Sequence, residues 1–100
     1  MQIVNSRQVE AEVLNGLLEL PELHLSGFSA RAGLTGAGVT LMKGRSFFGS
    51  WRVTAGTLVW SYAHAGGSNY FAQSVDDAVR HTMLLILHSL QQQSDEMRVA

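Results

Sequence analysis

Apolar residues recur at helical spacing at Val9, Val13, Leu17 and Leu20, with Leu14 and Leu18 widening the stripe, so the first segment reads as one buried helix face. Asn5 stands at the N-cap position, Gln8 follows where it can reach back, and Val4 with Val9 can close a hydrophobic staple across the cap. Pro21 pushes the residue before it out of helical geometry. The spacing therefore predicts a helix from about Ser6 to Leu20. Beyond it, Glu22-Leu23-His24-Leu25-Ser26 alternates polar and apolar, which predicts a short strand. Gly27 to Gly38 holds four glycines among Ala, Ser and Thr, and reads as a loop with few large side chains to pack.

Val39 to Lys43 predicts a strand, with Gly44-Arg45 as a two-residue turn. Ser46 to Val53 and Thr57 to Tyr62 carry the clearest strand patterns, joined through Ala55-Gly56. A two-residue turn there sets Trp51 opposite Trp60 and Val53 opposite Leu58. One face would then hold Phe47, Trp51, Val53, Leu58, Trp60 and Tyr62, and the other Phe48, Ser50, Arg52, Val59 and Ser61. A three-residue loop would mate Trp51 with Val59 instead. The first register is preferred, because a single buried face pins pairing more strongly than turn preference does.

His64 to Ser68 reads as a further glycine-containing turn, and Asn69 to Gln73 as a last short strand. Ser74 then caps a second helix, with Asp76 and Asp77 in the first turn, where the positive end of the helix dipole favours them. Its stripe is Val75, Val79, Thr82, Met83, Ile86, Leu87 and Leu90, with Leu84 and Leu85 off it. The helix is expected to fray at Gln91 to Gln93. The predicted architecture is an α+β two-layer sandwich: a helix, three or four antiparallel strands in meander order, and a helix, with both helices on one sheet face. One domain is expected over residues 1–93, with 94–100 as a flexible C-terminal tail. A two-layer domain of this size leaves the other sheet face in water unless something covers it.

Composition removes several classes of function. Hydrophobic residues are 46% and charged residues 15%, against about 25% charged in an average soluble domain, so the chain has a core and is not intrinsically disordered. The longest strongly apolar run, Met83 to Leu87, is five residues, where a membrane crossing needs about 20. There is no cysteine, which excludes disulfides, thiolate catalysis and cysteine-held metals. Residues Met1 to Arg7 lack the basic-then-apolar pattern of a secretory signal, and a cytoplasmic location is expected.

The net charge of −1 conceals a segregation. Leu23 to Val75 has no Asp or Glu but carries Arg31, Lys43, Arg45 and Arg52, giving +4, while residues 1–22 sum to −3 and residues from 76 onward to −2. The middle is basic and both ends are acidic.

Catalytic and metal chemistry find little support. Gly33-Leu34-Thr35-Gly36-Ala37-Gly38 lacks the Gly-Lys-Ser/Thr of a phosphate loop, and a strand follows where a helix should. His81 and His88 are seven residues apart on one helix, about 10.5 Å of rise, too far for one metal. No nucleophile elbow is present, and the middle of the chain has no carboxylate to orient a histidine. No cofactor, no metal and no enzymatic activity are expected. Helix, three strands, helix is also the order of double-stranded RNA-binding domains, but those grip phosphates with lysines at the start of the second helix. Asp76 and Asp77 stand there in this chain and would repel a duplex, so membership is not inferred.

Two readings of the basic, aromatic middle remain. The first is an interaction module that self-associates as a homodimer, acidic helices meeting a basic sheet rim. The second is nucleic-acid binding through segment 31–62, where cations interleave with rings. In both, the expected docking surface comprises Arg31, Lys43, Arg45, Phe48, Arg52 and Val59.

Overall fold

Asn5 caps the first helix as its position requires: its side chain accepts a hydrogen bond from the Gln8 amide at 3.1 Å. The computed structural model describes residues 5–33, 37–62 and 69–98, with 92–98 by their backbone alone; Val4 and the turn around His64 to Ser68 lie outside the described residues. Helix α1 spans Ser6–Leu18 and buries Glu10, Val13 and Leu17. Pro21 opens a second, short helix, α2 (Pro21–Leu25), instead of preceding a strand. Proline suits a first helical position, where its missing N–H is an orphan anyway, and Leu23 is the residue this turn buries.

The segment expected to be loop contains strand β1 (Phe28–Ala32). Its signal is weak because Phe28 is its one large buried side chain and the next inward residue, Ala30, is small. Strands β2 (Val39–Lys43), β3 (Ser46–Thr54), β4 (Thr57–Tyr62) and β5 (Tyr70–Ala72) follow. The five strands form one antiparallel sheet in the order β1-β2-β3-β4-β5, one strand more than the upper expectation. Helix α3 (Val75–Arg98) follows, running on past Gln91–Gln93 where the sequence suggested fraying, and through much of the expected tail. Ser74 caps it, its hydroxyl oxygen accepting from the Asp77 amide at 3.0 Å.

The β3–β4 register is the one favoured by burial, with Trp51 opposite Trp60 and Val53 opposite Leu58. Ala55 and Gly56 both take positive φ, 51° and 77°, the conformation that two-residue hairpin turns demand. At Phe47 and Phe48 the simple alternation fails. The β2–β3 pairing steps from Leu41↔Gly49 to Met42↔Phe47, so Phe48 is an extra residue on β3, a β-bulge. The bulge turns Phe48 inward, its ring 4.9 Å from Phe28 and 6.0 Å from Trp60, and leaves Phe47 outward.

All three helices lie on one side of the sheet. The core beneath them joins Val13, Leu17, Leu23, Phe28, Val39, Leu41, Trp51, Leu58, Trp60, Ala78 and Ile86. The inner face of α3 is Ala78, Thr82 and Ile86 with Leu85 packed beside them, while Leu84 and Leu87 are exposed; the true stripe is thus rotated slightly from the expected one. Trp51 donates its indole N–H to Thr82 Oγ1 at 2.8 Å, and that hydroxyl donates in turn to the Ala78 carbonyl at 2.8 Å. Gly49 is a close approach: a Cβ there would stand 2.4 Å from the Trp60 ring.

One polar contact ties helix to sheet. Glu10 is 7% exposed, and its carboxylate accepts from the Gly38 amide and the Val53 amide, both at 3.0 Å. Strand β2 starts at Val39, so the Val53 N–H lies just beyond the last β2–β3 pair, Val39↔Trp51, and finds its acceptor in this side chain. Replacing Glu10 with Ala orphans both donors, which costs about 1–3 kcal/mol each, so Glu10→Ala is expected to lower unfolding free energy by about 2–6 kcal/mol, and Glu10→Gln by less. Urea denaturation measures this; a change below about 0.5 kcal/mol for Glu10→Ala, the level of an ordinary surface substitution, would show the contact to be incidental.

Candidate functional site

Because side chains alternate along a strand, the face opposite the helices is set by the same pairings that bury the tryptophans. Ser29 and Arg31 of β1, Thr40 and Met42 of β2, Phe47, Ser50 and Arg52 of β3, Val59 and Ser61 of β4, and Phe71 of β5 all point there. Among the described residues no other element covers this face. Phe47 is 49% exposed and Phe71 61%, large rings held in water by their register.

Arg31, Ala32, Gly33, Thr40, Met42, Phe47 and Arg52 line a cavity of about 490 Å³ on this face. Arg31 sits directly opposite Thr40, which sits opposite Ser50, two residues before Arg52. Neither guanidinium has an acid within ion-pair distance among the described residues. The Arg52 stem passes over Gly38, where a Cβ would come within 3.0 Å of Arg52 Cγ. Gly38 also has φ of +77°, so both its space and its backbone conformation require glycine.

Of the six residues the sequence placed on a docking surface, Arg31, Arg52 and Val59 are on the open face, and Arg45 is exposed in the β2–β3 turn. Two are not. Lys43 is on the covered side, donating to Ser89 of α3 at 2.9 Å and lying 5.7 Å from the Phe28 ring centre. Phe48 is carried inward by the bulge. Phe47 takes its place, and Phe71, Met42 and Thr40 complete the surface. Phe71 was legible as part of a last strand, but its face depended on pairing with Val59.

A second aromatic cluster lies on the covered side at the start of α3. Tyr70 stacks on His81 with ring centres 3.8 Å apart and planes 4° from parallel, and Trp51 meets both edge-on. Tyr70 donates its hydroxyl to Asp77 at 3.0 Å, and Asp77 also accepts from the Gln73 amide at 3.0 Å. The Gln73 amide, with Tyr70 and Arg80 adding to it, holds the Asp77 carboxyl below its usual range; the bond to that carboxylate raises the Tyr70 phenol. His81 Nε2 is buried with no hydrogen-bond partner among the described residues. Burial lowers the His81 pKa, opposed by the nearby Asp77 charge. The set fastens β5 to α3. Among the described residues no three metal-ligating side chains come together, and no helix is long and apolar enough to cross a membrane.

Between α1 and α3 runs a groove lined by Glu12, Asn15, Glu19, Asp76 and Arg80 among others, acidic where the open face is basic. No protein-family model matches the chain, and neither a curated protein nor a solved structure matches it significantly.

The His81 environment has a pH consequence. A histidine whose pKa is lowered by folding binds fewer protons in the native state than in the unfolded one, so the stability it provides is present above about pH 6.5 and is lost as pH falls below that. Thermal melts at about pH 7.5 and 5.5 are expected to show a drop in Tm that His81→Phe, which keeps a stacking ring, reduces. An equal drop in both chains would assign the acid sensitivity elsewhere.

Proposed function

We propose that the chain is a non-enzymatic interaction module that binds a single strand of nucleic acid across its open sheet face. The observation that carries this reading is one surface holding two acid-free guanidiniums, Arg31 and Arg52, together with two uncovered rings, Phe47 and Phe71. Cations that track a phosphate backbone and rings on which bases stack are the two parts of a single-strand site. Unpaired bases are favoured over a duplex because a flat aromatic platform gains nothing from base pairs already stacked on each other.

The charge pattern supports an anionic partner over a second copy laid face to face. A two-fold pair through the open faces would set Arg31 and Arg52 against their own equivalents with no acid between them, and like charges brought together oppose association. Self-association, the second reading, is better built on α3, where Leu84 and Leu87, one turn apart, are 55% and 46% exposed. That arrangement would leave both sheet faces open.

Binding to a labelled oligonucleotide is expected to weaken with salt at a log–log slope of roughly −1.4 to −2.1, for two or three phosphate contacts on a single strand. Arg31→Glu with Arg52→Glu is expected to abolish it. Phe71→Ala should cost about 1–3 kcal/mol, the worth of one stacked base. Absence of salt-sensitive binding at low ionic strength would end this reading. For self-association, light scattering at micromolar concentration is expected to give the mass of two chains, reduced to one by Leu84→Glu with Leu87→Glu; a monomeric parent would remove the second reading and leave the first untouched.

A further inference from the structure

We infer that the cavity between Arg31 and Arg52 is a subsite for a terminal phosphate, a phosphomonoester at the end of the bound strand, with the ring of the end nucleotide against Phe47 and Met42. This rests on the single-strand reading above and adds to it where the strand ends.

Charge is the first argument. Two guanidiniums line one cavity and neither is neutralised by an acid among the described residues. An internal phosphodiester carries one negative charge and would leave the pair half-compensated. A phosphomonoester carries about −1.5 to −2 at neutral pH and three acceptor oxygens, which matches two planar donors able to bind in bidentate fashion. The Thr40 hydroxyl stands on the strand between them. From strand spacing and rise, the Cα atoms of Arg31 and Arg52 are roughly 12 Å apart, a span that two long side chains can close over one phosphate.

Shape is the second argument. A volume of about 490 Å³ falls in the range of small-molecule pockets, about 300–1,000 Å³, and suits one nucleotide. Its lining joins the polar side chains of Arg31, Thr40 and Arg52 to the apolar ones of Met42 and Phe47, with Ala32 and Gly33 at the end of β1. Next to the cavity lies the cross-strand row Arg52↔Val59↔Phe71, about 10 Å from β3 to β5. The strand therefore has an end in the cavity and a second stacking ring beyond it.

Rigidity is the third argument. Arg52 precedes Val53, whose amide is fixed by Glu10, and its stem rests on Gly38, whose amide the same carboxylate holds. A donor already positioned loses less freedom on binding.

The test compares fluorescently labelled oligothymidylates of one length bearing a 5′-phosphate, a 3′-phosphate or hydroxyls at the unlabelled end, by anisotropy at low salt and pH 7.5. One phosphorylated end is expected to bind about ten-fold tighter than the hydroxyl form. That preference should vanish in Arg31→Gln and in Arg52→Gln, persist in Phe71→Ala despite weaker overall binding, and shrink on lowering the pH to 5.5 as the dianionic monoester takes up one proton. Equal affinity of all three oligonucleotides overturns the terminal subsite while leaving strand binding in place; no binding of any of them overturns both. Inorganic phosphate competing as well as thymidine monophosphate would make the cavity a site for phosphate ion and overturn the assignment to a strand end.

Discussion

Trp51 and Trp60 face each other across β3 and β4 with ring centres 5.4 Å apart and both fully buried, and the rest of the molecule follows from the side on which they lie. Side chains alternate strictly along a strand, so placing this pair under α3 sends Arg52 and Val59 to the opposite surface. A one-residue slip of β3 would bring Arg52 beneath the helices and expel Trp51, exchanging that strand's two faces. The bond from Trp51 to Thr82 adds a polar condition that a shifted register could not satisfy. The docking surface is therefore the reverse of the core, and the packing that stabilises one specifies the other.

The sheet also separates two kinds of charge. On its covered side the buried carboxylate of Glu10 is balanced by backbone donors, and Lys43 is spent on Ser89. On its open side Arg31 and Arg52 have no such internal use among the described residues. Gly38 is where the two sides touch, with Glu10 holding its amide from one direction and the Arg52 stem crossing it from the other. A residue with no side chain permits a buried acid and a surface base to act on the same peptide.

The sequence made the α+β class, the meander, the β3–β4 register and the caps at Asn5 and Ser74 legible, because each rests on local chemistry: spacing, turn residues and cap residues. What it hid rests on neighbours in space. Strand β1 was obscured by small residues whose suitability depends on the helix above them, and α2 by an alternation that short helices also allow. The exchange of Phe47 and Phe48 needed the bulge, which no local signal announces in a pair of adjacent phenylalanines. Glu10 was the one omission with a visible sign: it lies three residues before Val13 and seven before Leu17, on the buried stripe, and a carboxylate there must find donors. Of the surface, Arg31, Arg52 and Val59 were legible from charge and parity; Phe71 was not, because its face depends on β5 pairing with β4.

The order β1-β2-β3-β4-β5 means that every strand pairs with its neighbour in the chain. Such local pairing closes short loops and favours rapid formation, so during N-to-C synthesis the successive hairpins can zip together one after another. The helix that roofs the indoles comes only after the last strand. Until it arrives, the nascent sheet is greasy on its inner side and cationic on its outer side, and the two dozen residues of α3 convert a sticky ribbon into a covered one.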